Sequence, residues 1–446
     1  MFKKKYDPSS MYSSFINSNK LFNVMTDGAY NNPVFDSMDY KKAIQDHKKH
    51  SMDLINKFIN NVNEESKKSK TIVFIAGKCY PMMARQAFFL RKKGYKTFLI
   101  SMQMLNSNDI ELLFDSFDEI VHKCLFYPVL GKILKSINPK FYHVQCWMWN
   151  YTLGKFIIEN KGESKVISEF YDVTGMYSEP ENLKSVFWDR IVDLDLYCEK
   201  FIFDNSDGII HRYKKEIFLN YSKKYNRTKN ILQFQQYPIS FDQKISKSKR
   251  RLVYCGTIIG PNDKRHPRKL FPTSGMCDAF DILLSQDFEI NLYLPISSNE
   301  LNEYDKWILN LKNKYPKNLY IHKSLPIQRL IKEISQYDFG INLSNMDKPN
   351  SHMSKYSFDG GMGTKTYTFL EAGLPVIVNK EYNYMSEVIE KNKIGLSLNS
   401  YEIKDAKKIL KKFKIFELKS NVKQFFEKNN IWTKGKELES FYSSLI

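Results

Sequence analysis

The pattern of apolar and polar positions changes near residue 70. Residues 1–40 are polar with little periodicity, whereas 41–62 carry apolar residues at helical spacing. From Thr71 onward, short apolar runs alternate with segments of helical spacing, which is typical of strands in a parallel sheet joined by helices. In the first half, the runs that predict strands lie at 71–77, 96–100, 119–122, 141–147, 165–170 and 207–211.

The alternation restarts after a polar, basic stretch at 240–251, where we place the interdomain linker. The runs that predict strands in the second half lie at 252–256, 289–294, 319–322, 338–343 and 375–378. The predicted fold class is therefore α/β, with two tandem Rossmann-like domains. The predicted divisions are a partly helical extension (1–65), a first domain (66–243), a second domain (244–428) and a C-terminal helix (429–446) that packs back on the first domain.

Composition favours a well-packed protein without metal. Hydrophobic residues make up 42% of the chain, and no apolar stretch reaches the roughly 18 residues of a membrane-spanning helix. Lys3 to Lys5 are not followed by an apolar segment, which argues against a secretory signal peptide. The six cysteines form no Cys-x-x-Cys pair and no zinc-ligand spacing. They favour buried thiols in a reducing, cytoplasmic setting.

The net charge of +19 favours anionic partners. Between Lys244 and Lys269 there are nine Lys and Arg residues and one acidic residue, Asp263. Ligands of parallel α/β sheets bind beyond the carboxyl ends of the strands, and the loop after Gly256 is expected there. This loop carries the candidate phosphate-binding and catalytic cations Lys264, Arg265 and Arg268.

The segment 360–379 is the most informative part of the chain. A glycine-rich stretch ending at Gly363 opens a predicted helix that begins Thr364-Lys365-Thr366. Free N–H groups and the positive end of the helix dipole make such a turn an anion site. Glu371 lies about 10 Å further along the same helix face, where it can accept hydrogen bonds from ribose hydroxyls. The order of Gly, Lys and Thr does not fit a P-loop.

Lys365-Thr366-Tyr367-Thr368-Phe369-Leu370-Glu371-Ala372-Gly373-Leu374-Pro375-Val376-Ile377 resembles the donor-binding segment of GT-B-fold glycosyltransferases. Tyr254-Cys255-Gly256-Thr257 and Gly395 also fit this pattern, which covers roughly 250–400 and is closest to the retaining "glycosyl transferases group 1" type. Many retaining members carry Glu-x7-Glu; Glu371 fits its second position, and Gly363 stands at the first.

The resemblance implies a central cleft between the domains, with the nucleotide sugar on the second domain and the acceptor on the first. It implies that Glu371 holds the ribose, and that Lys365 and Thr366 lie near the diphosphate with Gly256 and Thr257. It implies no cofactor beyond the nucleotide sugar, a UDP- or GDP-sugar, used with a glycan, lipid-linked or protein acceptor in bacterial surface glycan synthesis.

The first domain is expected to supply acceptor contacts and a general base. Gly77 and Lys78, which follow its first strand, are the candidate acceptor residues. Asp172, which follows a later strand, is the candidate base, with a turn aspartate as the alternative. His143 lies within a predicted strand and is interpreted as a core histidine.

One segment near the C-terminus allows two interpretations. Residues 406–416 form a basic amphipathic pattern, which indicates either a core-facing helix or peripheral contact with the inner face of the cell membrane.

Two alternative functions also stay open. A sugar-nucleotide 2-epimerase has a similar fold, and a basic membrane- or nucleic-acid-binding protein is the non-enzymatic alternative. No nucleic-acid-binding motif is present, so we expect no nucleic-acid partner.

Overall fold

The structure is a computed structural model that describes residues 7–16, 40–102, 110–122, 127–227, 229–244, 250–258, 269–295, 306–346 and 348–446. The chain divides into two compact units. Unit 1 comprises Met1–Arg212, Phe218–Phe234 and Gly435–Ile446, and unit 2 comprises Tyr213–Ile217 and Gln235–Lys434.

Unit 1 is built on a sheet in which every paired strand runs parallel to its neighbours. Its strand order is β3-β2-β1-β4-β5-β6-β7. All six side chains of β1 are buried, because helices cover both faces of such a sheet. The strands are β1 (Thr71–Ala76), β2 (Lys96–Ser101), β3 (Glu119–Val121), β4 (Phe141–Cys146), β5 (Lys165–Phe170), β6 (Gly208–His211) and β7 (Ile231–Gln233).

The first helices of the chain are α1 (Pro8–Ile16), α2 (Tyr40–Ser66), α3 (Pro81–Lys92), α4 (Ile110–Ser116), α5 (Tyr127–Ser136), α6 (Tyr151–Glu159), α7 (Thr174–Tyr177), α8 (Pro180–Lys184), α9 (Asp189–Asn205) and α10 (Lys215–Ser222). Local sequence explains the limits of α3. Pro81 occupies a first-turn position, where its missing N–H costs nothing, and Gly94 follows the helix at φ 87°.

Unit 2 contains a second parallel sheet, of order β10-β9-β8-β11-β12-β13. Its strands are β8 (Arg251–Cys255), β9 (Glu289–Leu294), β10 (Leu319–Lys323), β11 (Phe339–Asn342), β12 (Val376–Asn379) and β13 (Gly395–Leu398). One apolar cluster under this sheet joins strand residues such as Leu252 and Ile341 to helix residues such as Phe280. The two parallel sheets confirm the predicted α/β class.

The remaining helices are α11 (Met276–Ser285), α12 (Lys306–Lys314), α13 (Ile327–Ile334), α14 (Lys355–Gly360), α15 (Thr364–Glu371), α16 (Asn383–Lys391), α17 (Ala406–Leu410), α18 (Ile415–Lys428) and α19 (Ile431–Ser444). Short 3₁₀ helices lie at Lys223–Tyr225, Pro272–Gly275, Lys348–Asn350 and Ser400–Asp405. Among the residues described, no helix combines the length and the apolar character needed to cross a bilayer.

The segment 406–416 is not one continuous helix, because the chain forms two helices there. Its first part faces the core, as one of the two readings predicts, since the apolar cluster of unit 2 contacts Ala406, Ile409, Leu410 and Phe413. The N–H groups of Lys412 and Phe413 bond to carbonyl oxygens three residues back, at 3.1 and 3.2 Å, which tightens and ends the last turn of α17. A new helix begins at Ile415. Phe416 consequently lies at the surface with 77% of its area exposed instead of joining Leu410 on a buried face.

The strand order places one crevice in each sheet. In unit 1 the chain runs from β1 outward to β3 and then returns to β4 on the other side of β1. In unit 2 it runs from β8 outward to β10 and returns to β11. At such a switch point the two connections leave in opposite directions and open a crevice at the carboxyl ends of the strands, where ligands bind.

Candidate functional site

The switch point of unit 2 brings Gly256 and Lys365 together. Gly256 follows β8 with φ 123°, a backbone conformation that side chains rarely adopt. A Cβ atom added to Gly256 would lie 2.6 Å from Cε of Lys365. The lysine side chain therefore lies directly against the glycine backbone, and any larger residue at this position would have to displace it.

The first turn of α15 lies beside this contact. Gly363 is the N-cap residue, and no side chain caps the helix. Gly363, Thr364 and Lys365 are partly exposed, and a Cβ atom at Gly363 would lie 3.0 Å from Nδ2 of Asn342. Uncapped N–H groups at the positive end of a helix bind anions, and a nearby lysine strengthens that site.

An aromatic ring positions the Lys365 ammonium. Nζ of Lys365 lies 5.4 Å from the centroid of the Tyr254 ring, within the range of a cation–π interaction. The Tyr254 hydroxyl donates a 2.7 Å hydrogen bond to the carbonyl oxygen of Thr257. Burial raises the pKa of Tyr254, so the ring stays neutral while it holds the cation. Thr257 itself is exposed at the carboxyl edge of β8.

Thr366 has a structural position. Its side chain is fully buried, and its hydroxyl lies 3.3 Å from Sδ of Met385 on α16. Thr364, two residues earlier, is partly exposed. Of the two predicted hydroxyls, the exposed one on Thr364 is therefore better placed to meet a ligand at the first turn.

Glu371 lies at the end of α15 with only 1% of its area exposed. Its Oε1 atom accepts hydrogen bonds from the N–H groups of Ile239 and Ser240, at 3.0 and 3.1 Å. The carboxylate thus fixes the chain where it enters unit 2 after residue 234. The predicted role of Glu371 toward ribose stays a prediction, alongside this observed structural role.

The basic loop after β8 is only partly described. Lys264, Arg265 and Arg268 lie outside the described residues. Lys269 is exposed, and its carbonyl oxygen accepts a 2.7 Å hydrogen bond from the N–H of His352.

At the switch point of unit 1, Gly77 and Lys78 follow β1. Gly77 is buried, and a Cβ atom there would lie 2.6 Å from Nδ2 of Asn150, which follows β4. Lys78 is partly exposed. The missing Cβ therefore allows the two strand ends flanking the crevice to approach closely.

Asp172 follows β5 and forms an ion pair of 2.5 Å with Arg212. Its side chain is 40% exposed. Its carbonyl oxygen accepts hydrogen bonds from the Met148 N–H, at 2.9 Å, and from the Tyr151 hydroxyl, at 2.8 Å. The structure thus joins Asp172 to the loop after β4. Its role as a base stays a prediction, and the ion pair with Arg212 is a competing role for the carboxylate.

His143 is a core histidine, as the sequence indicates. Its ring is fully buried and contacts the Tyr442 hydroxyl at 2.5 Å and the Glu169 carboxylate at 3.2 Å. Tyr442 belongs to the C-terminal segment of unit 1. Among the residues described, no three His, Cys, Asp or Glu side chains group as metal ligands.

Sequence reasoning missed a buried carboxylate on α9. Asp195 is 2% exposed, and its Oδ2 atom accepts a 3.0 Å hydrogen bond from the N–H of Trp149. Burial raises the pKa of Asp195 to about 7. The available signal was the pair Asp195 and Glu199, one turn apart on one face of the predicted helix and separated by Leu196, Tyr197 and Cys198.

Residues 293–435 match the family model described as Glucosyltransferase 3-like, C-terminal domain. This match includes all of α15 and excludes Gly256. No curated protein matches the whole sequence significantly.

Among solved structures, the apo form of the lipopolysaccharide outer core galactosyltransferase WaaB matches with a TM-score of 0.50 and 10% identity, covering 84% of this chain and 100% of that one. The calicheamicin glycosyltransferase CalG4 matches at 0.44 and 8%, covering 84% and 99%. AviGT4, a glycosyltransferase involved in avilamycin A biosynthesis, matches at 0.45 and 9%, covering 84% and 97%.

The likeness to WaaB shows the fold, two Rossmann-like α/β units of the GT-B kind. The family match covers roughly a third of the chain, from β9 to the start of α19, and so includes the first turn of α15. The chain therefore has the GT-B fold, and its residues 293–435 match a Glucosyltransferase 3-like domain.

Proposed function

We propose that this protein transfers a sugar from a UDP- or GDP-sugar to a glycan, lipid-linked or protein acceptor during bacterial surface glycan synthesis. One observation carries the donor half of the proposal: the Lys365 side chain lies against Gly256 at the switch point of unit 2, beside the uncapped first turn of α15. Backbone N–H groups, a helix dipole and a fixed ammonium group together suit a diphosphate.

In this proposal the diphosphate binds the first turn of α15, with Thr364 and Lys365 as donors and with Gly256 and Thr257 approaching the phosphates. Gly363 allows close approach at the helix start, and Thr366 holds that start in place through its buried hydroxyl. Lys264, Arg265 and Arg268 are proposed from sequence position to add positive charge. Cations at this place act on the transition state, because the leaving diphosphate gains negative charge as the bond to the sugar breaks.

The reaction breaks the bond between the anomeric carbon and the terminal phosphate oxygen and forms a bond from an acceptor oxygen to that carbon. The acceptor hydroxyl must lose its proton, and the diphosphate leaves with the bonding electrons. Asp172 is the proposed base, with Gly77 and Lys78 proposed to contact the acceptor. For Asp172 to take the proton, its ion pair with Arg212 must open or be shared with the substrate.

A thermal-shift series tests the donor site. UDP, GDP, ADP, CMP and their sugars are compared on the wild type and on Lys365→Met, which keeps the aliphatic chain over Gly256 and removes the charge. Lys391→Met, on the exposed end of α16, makes the same charge change away from the site. We expect UDP or GDP to stabilise the wild type and the control, with about tenfold weaker binding for Lys365→Met.

If Lys365→Met and Lys391→Met bind nucleotide with equal affinity, the donor site does not lie at the start of α15. If none of the nucleotides stabilises the wild type, the proposed function is overturned. Glu371→Gln separates its two roles in the same series. A ribose contact predicts weaker nucleotide binding, whereas a purely structural role predicts a lower melting temperature with unchanged affinity, because the bonds to Ile239 and Ser240 weaken.

A lipid-linked acceptor would place the enzyme at the inner face of the membrane. Exposed Phe416 lies in a short segment with Lys411, Lys412 and Lys414, which are also exposed. An aromatic side chain among lysines suits an anionic lipid surface. Co-sedimentation with phosphatidylglycerol vesicles is expected to fall in Phe416→Ser but not in Leu54→Ser, another exposed apolar residue. Equal co-sedimentation of the two variants would exclude this contact.

A further inference from the structure

The carboxyl edge of the sheet in unit 1 is lined with aromatic side chains. Tyr80 follows β1, Trp147 and Trp149 follow β4, and Tyr171 follows β5. The Tyr80 ring lies 5.0 Å from the Trp147 ring, nearly perpendicular to it, and 5.9 Å from the Tyr171 ring. Trp149 packs on Phe187 at 4.5 Å. Tyr80, Trp147 and Trp149 are each partly exposed, so this cluster is not simply core.

The backbone at Trp149 is held in a conformation that a large side chain rarely adopts. Its φ is 72°, in the left-handed region, which costs free energy and persists only where the surroundings impose it. The buried Asp195 carboxylate imposes it, since Oδ2 accepts from the Trp149 N–H at 3.0 Å and Oδ1 from the Tyr151 N–H at 3.4 Å. The Thr174 hydroxyl also donates to Asp195.

The loop is fixed from its other side by Gly77. Because Gly77 has no Cβ, Asn150 can pack against the end of β1. The N–H of Met148 donates a 2.9 Å hydrogen bond to the carbonyl oxygen of Asp172 at the end of β5. Residues 147–150 are thus anchored to three neighbouring elements, which is the rigid support that a binding site requires.

The chemistry of this edge differs from that of a phosphate site. Three partly exposed side chains here are aromatic, and the buried carboxylate beside them, Asp195, is bonded to backbone N–H groups of the loop. A sugar ring has apolar C–H faces and a rim of hydroxyls. Aromatic side chains offer an apolar face with a polar edge, and ligand sites combine such faces with a few polar groups.

We propose that Tyr80, Trp147 and Trp149 form a subsite that stacks a pyranose ring of the acceptor, so that the acceptor is a glycan. This inference rests on the proposed function, because transfer requires an acceptor as well as a donor. Asp195 is a positioning residue that does not touch the sugar, and Gly77 also positions the subsite by leaving room for Asn150.

Saturation-transfer NMR with methyl glucosides, methyl galactosides and methyl N-acetylglucosaminides tests the subsite on the full chain. The variants are Trp147→Ala and Trp149→Gly, the second of which removes the ring and also suits the positive φ. Phe114→Ala, an exposed aromatic residue elsewhere in unit 1, is the matched control. We expect transfer to ring C–H protons in the wild type and the control, and at least about tenfold weaker binding in both tryptophan variants.

UDP and GDP binding is measured on the same samples. Unchanged nucleotide binding in Trp147→Ala and Trp149→Gly shows that unit 2 is intact, and an unchanged far-UV circular dichroism spectrum shows that unit 1 is folded. Glycoside contact that survives in both variants overturns the subsite, and so does a wild type that binds nucleotide but none of the glycosides. A wild type that binds no nucleotide overturns the proposed function instead, so the two failures are distinguishable.

Discussion

The two units have the same strand order around their switch points, but side chains of different chemistry follow those strands. Each has a switch point between its first strand and the strand that follows the crossover, β1 with β4 and β8 with β11. A glycine directly follows each first strand. Because it has no Cβ atom, a neighbouring side chain can lie against it: Asn150 against Gly77, and Lys365 against Gly256. In unit 2 that side chain carries a positive charge. In unit 1 it anchors residues 147–150, the tryptophan loop, which carries Trp147 and Trp149.

This difference indicates which part of such a fold sets its ligand specificity. The parallel sheet decides where a ligand binds, because the crevice follows from strand order alone. The side chains after each strand decide which ligand binds. A helix start with a lysine favours a phosphate, and aromatic faces held rigidly favour a neutral ring.

The largest effect is expected from filling the space at Gly256. Gly256→Ala places a Cβ atom 2.6 Å from Cε of Lys365 in a backbone with φ 123°, so Lys365 must move away from the first turn of α15. We expect nucleotide affinity to fall by about a hundredfold, because Lys365 is displaced and the added methyl group also stands where the phosphates are proposed to approach Gly256; isothermal calorimetry with UDP or GDP measures it.

Gly94→Ala is the matched control, because Gly94 also has a positive φ, of 87°, but no atom lies within 4 Å of an added Cβ. This control carries the backbone strain without the displaced lysine. Equal nucleotide affinity in the two variants would show that the contact with Lys365 has no part in binding.

A smaller effect is expected at the corresponding glycine of unit 1. Gly77→Ala places a Cβ atom 2.6 Å from Nδ2 of Asn150 and displaces the tryptophan loop. We expect about tenfold weaker glycoside binding with unchanged nucleotide binding. The double variant with Asn150→Ala removes the clashing atom and should recover part of the loss, as a double-mutant cycle can measure. No coupling between the two positions would contradict this account of the crevice.

An effect of another kind, on stability and not on affinity, is a pH dependence that unit 1 owes to Asp195. Its pKa is raised by burial to about 7, so between about pH 4 and pH 7 the folded state holds a proton that the unfolded state has lost. Stability therefore falls as pH rises through that window, by up to roughly 1 kcal/mol per pH unit. Burial raises the pKa of Glu199, on the same helix, and adds in the same direction.

Urea unfolding at several pH values measures this slope. Asp195→Asn should flatten it, since the amide cannot titrate, and Glu199→Gln should flatten it independently. The Asp195→Asn variant keeps a carbonyl oxygen for the Trp149 N–H, so its melting temperature need not drop. A slope unchanged in both variants would place the titrating groups elsewhere.

Much of the architecture could be predicted from the sequence. The apolar run at 71–77 and its counterparts identified most strands, because buried parallel strands need continuous apolar residues. Strands β7 and β13 were missed, since runs of three or four residues at sheet edges carry little pattern. The first turn of α15 was found from Gly363, Thr364 and Lys365 because helix starts have local signatures.

What the sequence by itself determined was the α/β class, the two sheets and the glycine-rich helix start, all properties of residues close together in the chain. Only the tertiary structure decided that Lys365 lies against Gly256, that Glu371 holds the chain at residues 239–240, and that Asp195 holds the tryptophan loop. These contacts join residues that are 46 to 132 positions apart in the chain. The packing of the sheet, not any local pattern, brings such residues within bonding distance.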